Sequence, residues 1–311
     1  MSEIEALLLE MLQIPSVSGE EKMMGEFLVS QLAGFAVEKQ LVEKDRFNVI
    51  ARKGNPKVYI VVHMDTVPGV VPIKVTKDKI FGRGAIDNKG NIAGAIIAAR
   101  KLENIGLIFT VGEEDDFIGA KKVKIRNKKF VIMEPTKLQV MRGQRGLVAV
   151  TITTKGTQVH SSLNFKKEDS AVYNLTNILS QLYRKNWTAF NAIVTQGGEA
   201  DNVVSGEASA KILMRPKNIT EYKKIISDLG KISGKRIGKR IEDKIEPCVS
   251  SLVKNGGIVP FFSEMAFFKN SVLFGVGDIA VAHTVAEYVN RKELNQLANK
   301  LVQLVLDLEK K

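Results

Sequence analysis

The tightest constraint in this chain is the stretch Val58–Asp65, Val-Tyr-Ile-Val-Val-His-Met-Asp. Five apolar residues run unbroken into His63, and Asp65 follows two positions later. A short apolar run rich in β-branched residues reads as a strand buried on both faces. In extended backbone, residues i and i+2 point to the same side. An imidazole and a carboxylate therefore converge at the carboxyl edge of a buried sheet, where open α/β sheets place their ligands.

Two more apolar stretches end the same way. Gly106–Val111 runs into Gly112-Glu113-Glu114, and Phe130–Met133 runs into Glu134-Pro135. Between Asp65 and the first of these, FGRGAIDNKG (81–90) sets Asp87 in a glycine loop before a helix with Ile92, Ile96 and Ala99 on one face. Strands alternating with helices predict an α/β fold, a mostly parallel sheet flanked by helices. Upstream, Glu3–Gln13 reads as a helix stopped by Pro15, and Phe47–Arg52 as a strand. Ser18-Gly19-Glu20-Glu21 fits a capping box opening a second helix.

The texture changes at Arg142–Gly146. Leu147–Thr154, Ala189–Gln196, Ala208–Met214 and Lys244–Val249 read as strands, with helices through Leu175 and Ile225. The order β-α-β-β-α-β predicts a compact α+β insert. Gly256-Gly257 returns the chain to the first domain, where Ser271–Phe274 is a strand, Gly275–His283 a loop and Leu294–Leu308 a helix.

The length of 311 residues suits two domains. No apolar run reaches the ~18 residues of a membrane span. The acidic opening MSEIEALLLEML lacks the features of a signal peptide. Cys248 is the only cysteine, which excludes intrachain disulfides and cysteine-based zinc sites and makes a reducing cytoplasm the default. The net charge of +12 favours acidic partners, although a solvated basic surface accounts for it equally well. No helix-turn-helix, RNA-binding or zinc-finger pattern supports a nucleic-acid partner.

Two divalent cations held close together need carboxylates, imidazoles and a bridging group. Zinc takes both donor types. The candidates are His63, Asp87, Glu114, Glu134 and His283. Taken singly, each carboxylate reads as well as a cap or an ion-pair partner. As a set they are more specific, because four of the five sit at strand ends or in the glycine loop. The three histidines, at 63, 160 and 283, all lie beside glycines, hydroxyls or carboxylates. Adjacent carboxylates such as Glu113-Glu114 repel unless cations or protons offset them. One can hold a metal while its neighbour takes a proton from the attacking water. Asp115 and Asp116 continue the run, so a solvated acidic turn is an equal reading.

VVHMDTVP (61–68), GRGAIDNKG (82–90), VGEED (111–115) and MEPT (133–136), in that order, resemble the two-zinc aminoacylase and carboxypeptidase family. IPSVSGEE (14–21), GTQVHSS (156–162) and GVGDIAVAHT (275–284) extend the likeness over essentially the whole chain. The family includes acetylornithine deacetylase and succinyl-diaminopimelate desuccinylase. The resemblance implies two zinc ions per subunit, with cobalt or manganese as substitutes. His63 and Glu134 would hold one, Glu114 and His283 the other, and Asp87 would bridge them across a cis peptide to Asn88. Asp65 would orient His63, and Glu113 would be the general base. His160 would reach the partner subunit's site in a homodimer and stabilise the oxyanion. Asn202, in DNVVSG, and Arg215, in LMRP, would hold the substrate, Arg215 by its carboxylate.

The expected organisation is a catalytic domain in two parts, 1–145 and 254–311, around a lid and dimerisation domain at 146–253. There are departures. Lys166–Asp169 stands where a proline often follows the histidine-serine motif, and the usual Gly-Pro-Gly reads Gly275-Val276-Gly277. They touch substrate fit rather than ligands.

The expected function is a cytoplasmic metal-dependent amide hydrolase. Within the family, the compact build and the GVGDIAVAHT ending look most like hydrolases that release lysine or ornithine from an acidic amino-group carrier protein. Lys217–Lys244 holds nine basic residues against four acids, and Lys121–Lys129 six against none, so basic patches near a cleft would steer such a carrier. The alternatives are deacylation of a free N-acyl amino acid, a dipeptidase, or a non-catalytic dimeric binding protein.

Overall fold

A computed structural model describes residues 1–311. The main elements are α1 (Glu3–Leu12), α2 (Lys22–Ser30), β1 (Ala36–Glu43), β2 (Arg46–Lys53), β3 (Val58–His63), α3 (Lys89–Arg100), β4 (Ile105–Thr110), α4 (Ile118–Lys122) and β5 (Lys129–Met133). They continue with β6 (Leu147–Lys155), α5 (Ala171–Tyr183), β7 (Phe190–Gln196), β8 (Glu207–Met214), α6 (Ile219–Lys231), β9 (Ile237–Ile245), β10 (Ser271–Phe274) and α7 (Arg291–Glu309). The chain divides into two compact units. One holds Met1–Gly143, Val249–Val259 and Ser263–Lys311, and the other Gln144–Cys248 and Pro260–Phe262.

The first unit is built on a six-stranded sheet of order β1-β2-β4-β3-β5-β10. β3 pairs parallel with β4 and with β5, and β10 pairs parallel with β5. β2 joins β4 antiparallel, and β1 completes that edge. Every residue of β3, β4 and β10 is buried, as the unbroken apolar runs require. Because these strands run the same way, their carboxyl ends share one edge.

The helix after the glycine loop is buried all round, from Lys89 to Ala99, rather than on one face. It packs on the sheet and also against α1 and α7. Gly94 permits this: a Cβ there would overlap the Leu297 side chain of α7.

Three local expectations change. Ser18 does not cap α2. The helix starts at Lys22 behind Glu21, and the Ser18 hydroxyl donates instead to Asp65 Oδ2 at 2.7 Å. Glu21 accepts from Arg46 and from the Gly19 N–H, while the Ser18 N–H donates to the Thr66 carbonyl. β1 was not anticipated, because its exposed edge position leaves a mixed polar pattern. The last strand of the insert is Ile237–Ile245 rather than Lys244–Val249. Ile237 and Ile241 pack on the core, while inward-facing Lys239 directs its ammonium to the Leu229 and Ile232 carbonyls at the end of α6. That lysine hides the apolar alternation.

The second unit is an antiparallel sheet of order β7-β8-β6-β9. Val148, Val150 and Ile152 of β6 and Ala208, Ala210 and Ile212 of β8 face Leu175 of α5 and Ile225 and Leu229 of α6.

Leu297 is fully buried at the α3–α7 contact. Leu297→Ala is expected to destabilise the chain by about 2–5 kcal/mol through the cavity it leaves, measured by urea unfolding.

Candidate metal centre

β3 delivers His63 and, two residues on, Asp65. The turn after β4 delivers Glu113 and Glu114. The end of β5 delivers Glu134, the glycine loop Asp87, and the loop after β10 His283. The structure brings these seven together in the first unit. Three groups of ligand atoms lie within 4.8 Å of one another: His63 with Glu113 and Glu114, His63 with Asp87 and Glu134, and Asp87 with Glu114 and His283. Asp87 faces both histidines with different oxygens. Its Oδ1 is 3.1 Å from His63 Nε2, and its Oδ2 is 3.2 Å from His283 Nε2. His283 Nε2 also lies 2.8 Å from Glu114 Oε1.

His63 Nδ1 lies 3.0 Å from the Asp65 carbonyl oxygen. A carbonyl only accepts, so its partners assign the proton to Nδ1. In the neutral ring Nε2 is then an electron pair facing a carboxylate, a juxtaposition that a proton or a cation must reconcile. Asp65 itself is fully buried. It accepts from the backbone N–H of Glu113 at 3.1 Å and of Glu114 at 3.0 Å, besides Ser18.

The charge state follows from this crowding. Burial works against the His63 imidazolium, but hydrogen bonds to Asp65 and Asp87 outweigh it and hold the ring well above its ordinary value. Hydrogen bonds to Asp87 and Glu114 raise His283 to about 10. Burial, reinforced by neighbouring carboxylates, pushes Glu113 and Glu134 well above the usual carboxylate range. Asp87 goes the other way: burial opposes its charge, and the two histidines more than compensate. At neutral pH the metal-free centre therefore holds protons, on His283 at the least. Nitrogen and oxygen donors at these separations fit divalent cations, and the bound cations would replace those protons.

Several residues essential to this geometry were invisible in the sequence. Glu287 is fully buried and accepts from the N–H groups of Ile86 at 3.1 Å and Asp87 at 3.3 Å while pairing with Arg83 at 2.8 Å. It fixes the loop backbone that carries Asp87. The Asp87–Asn88 peptide is cis, as the family resemblance implied; not foreseen is that Asn88 donates to the Met133 carbonyl at 2.8 Å, tying that loop to β5. Asn91 donates to Asn88 and accepts from Val276 N–H, linking the loop to the segment after β10. His283 adopts a left-handed backbone, φ 62°, which is strained for a non-glycine residue and is found where a side chain must be aimed. The buried Glu264 is a further carboxyl near His63. Its one sequence signal is that it is the only charged residue between Lys254 and Lys269.

The second unit holds the other three candidates. His160 is exposed, its Nδ1 lies 2.7 Å from Ser162 Oγ, and it bridges to Val203 beside Asn202. The Ser161 N–H donates to the Asn202 carbonyl at 2.8 Å. Arg215 lies elsewhere. Asn202 precedes β8 and Arg215 follows it, so the whole eight-residue strand separates them, about 26 Å at ~3.3 Å per residue. Arg215 instead lines a hollow of about 470 Å³ with Tyr183, Trp187 and Phe190. One amino-acid-sized molecule cannot touch both ends.

The sequence profile of peptidase family M20/M25/M40 matches residues 59–307. The chain belongs to this family. A probable carboxypeptidase of Paracoccidioides brasiliensis is 33% identical over 257 residues, 65% of this chain and 58% of that protein. The chain thus spans little more than half the length of the curated relatives it matches first. An M20-domain protein of Schizosaccharomyces pombe is 28% identical over 95% of this chain and 82% of its own length. Among solved structures, a tripeptidase from Staphylococcus aureus superposes with a TM-score of 0.81 at 20% identity, covering 99% of this chain and 98% of that one. A dinuclear metal-binding peptidase from Bacillus subtilis gives 0.75 at 14% identity, with 98% of each chain covered. These two share the fold. No helix of this chain is long and apolar enough to cross a membrane.

Because His283 is raised to about 10 and so keeps its proton at pH 7, loading the metal-free protein with zinc should release protons. Apparent affinity should accordingly rise with pH. Calorimetry in buffers of different ionisation enthalpy counts the protons directly.

Proposed function

We propose that this chain hydrolyses a C–N amide bond in a substrate that carries a free carboxylate. The single observation that carries the reading is Asp87 set between two histidines, with Glu134 on one side, Glu114 on the other and a separate buried Glu113 beside them. His63 and Glu134 would hold one cation, Glu114 and His283 the other, and Asp87 both. Bound there, the two cations would supply Lewis acidity to the amide carbonyl and lower the pKa of the attacking water. The protein does the rest. Glu113 is a buried carboxyl beside that position, and burial and like charge raise its proton affinity above that of an ordinary carboxylate, the direction a general base needs. It takes the proton of the water and returns it to the departing amine. Asp65 holds the His63 ring and the Glu113–Glu114 backbone in register.

Glu113→Gln is expected to lower turnover by about 10²–10⁴-fold with metal content unchanged. Undiminished turnover would remove Glu113 from this role. Zinc is the metal of this reading, with cobalt or manganese as substitutes, because nitrogen and oxygen donors admit all three.

The separation of His160 and Asn202 from Arg215 supports a homodimer through the second unit, in which the His160 end of one copy serves the other's site. Mixed subunits test this. His160→Ala and Glu113→Gln should each be inactive alone. Equal mixing should restore about a quarter of wild-type activity, since half the dimers are mixed and each keeps one intact site. No restoration would place His160 outside the partner's site.

A narrower reading is release of lysine or ornithine from an acidic carrier protein. None of the six cations in Lys121–Lys129 forms an ion pair; Lys121, Arg126 and Lys129 donate to backbone carbonyls, so no carboxylate neutralises the run. The run does not lie at the catalytic edge throughout. It ends at the start of β5, about 16 Å of strand from Glu134. It would act as a docking face rather than a funnel. A panel of carrier-linked lysine, N-acetylornithine, N-acetyllysine, N-succinyl-diaminopimelate and simple dipeptides discriminates. Preference for the carrier conjugate, lost on raising salt, supports the narrower reading. Preference for a small acyl amino acid or a dipeptide removes it and keeps the mechanism.

A further inference from the structure

Glu264 lies in a short 3₁₀ turn, Glu264–Ala266, of the first unit. The Ser263 hydroxyl accepts from the Met265 N–H and caps this turn, while the Glu264 carbonyl accepts from Phe267 N–H at 2.9 Å. Ring contacts fasten the next two residues, Phe267 on Phe117 at 5.7 Å and Phe268 on Phe130 at 5.0 Å. The carboxyl is thus carried on a rigid backbone. It is 1% exposed, and its Oε1 has no hydrogen-bond partner. Thr110, the last residue of β4 and the register partner of His63, offers its hydroxyl to the same carboxyl. His63, Asp65, Glu113 and Glu134 all lie within its electrostatic reach.

A buried carboxyl with an open oxygen beside other carboxylates costs the folded chain free energy. Glutamine or leucine would remove that cost. No lysine or arginine pairs with it, and it belongs to none of the three ligand groups. Its like-charged neighbours make the position worse for an acid in the metal-free protein. They make it better only when a cation is present. His63 and Glu134 are proposed ligands that feel its charge, so the effect falls on their half of the centre.

We propose that Glu264 is a positioning residue that supplies negative charge to the His63–Glu134 half of the centre, biasing that half toward tight cation binding at the expense of metal-free stability. This rests on the two-cation reading above. The carboxyl touches no cation itself. It acts through the field at His63 and Glu134 and through its hold on Thr110.

The two effects have opposite signs, and this makes the idea testable. Cobalt titration of the metal-free protein, followed by visible absorption and by competition with a chelator, gives the affinity of each ion. Thermal melting of the metal-free protein at pH 8 gives the second readout. Glu264→Gln should weaken one of the two ions about tenfold or more and leave the other within a few-fold. The same variant should melt a few degrees higher than wild type without metal. Glu264→Asp, which restores the charge, should recover much of the affinity. Unchanged affinity for both ions would overturn the proposal. So would weaker binding with a lower metal-free melting temperature, because that pattern marks a packing role. If the wild type bound no second ion, the two-cation reading would fall instead.

Discussion

The polar edge of the sheet depends on one carboxylate. Asp65 is out of water, yet its two oxygens meet the Ser18 hydroxyl and the Glu113 and Glu114 backbone N–H groups, with His63 Nδ1 3.5 Å away. Hydrogen bonds to a charged acceptor are about twice as strong as neutral ones, so this set can offset the burial of the charge. Its neighbours hold Asp65 below the ordinary carboxylate range although burial pushes the other way. The result is mechanical as well as electrostatic. A residue at the end of β3 fixes the backbone of the turn after β4 and of the loop before α2. The side chains of Glu113 and Glu114 are aimed because their amides are already occupied.

Around that hub the structure concentrates acid. Asp65, Asp87, Glu113, Glu134 and Glu264 are all buried, and none forms an ion pair with a lysine or arginine. The same neighbourhood lowers Asp87 and raises Glu113 and Glu134, because only Asp87 touches both imidazoles. Such splitting is how like groups acquire different roles. Glu287 shows the contrasting use of a buried acid: its charge is spent on Arg83 and on loop amides, so it serves the backbone and leaves the ligand atoms free.

The legible part of this molecule is the part whose signal is continuous in sequence. Unbroken apolar runs marked β3, β4 and β5, and the polar residues at their ends could be read as one edge because parallel strands share direction. The alternating insert strands and both amphipathic helices were legible for the same reason. What escaped depends on contacts through space. Ser18 looked like a cap because the local pattern fits one, but Asp65 competes for its hydroxyl and wins. Lys239 broke the apolar alternation of β9 because helix-end carbonyls, invisible in the strand itself, give its ammonium a place inside. Glu264 and Glu287 carry no motif. A buried acid is recognisable only once its surroundings are known.

Sequence distance proved a poor guide to real distance, in both directions. His63 and His283 are far apart in the chain and meet at Asp87, since parallel strands and their loops return again and again to one edge. Asn202 and Arg215 are near neighbours in the chain and stand at opposite ends of β8, since extended backbone separates residues faster than any other conformation. Residues that converge by topology can form one site within one chain. Asn202 and Arg215, at the two ends of one strand, are too far apart for a single amino-acid-sized molecule to touch both. The candidate metal ligands thus gather at one edge, while the residues that the sequence suggests for holding substrate do not meet at one point.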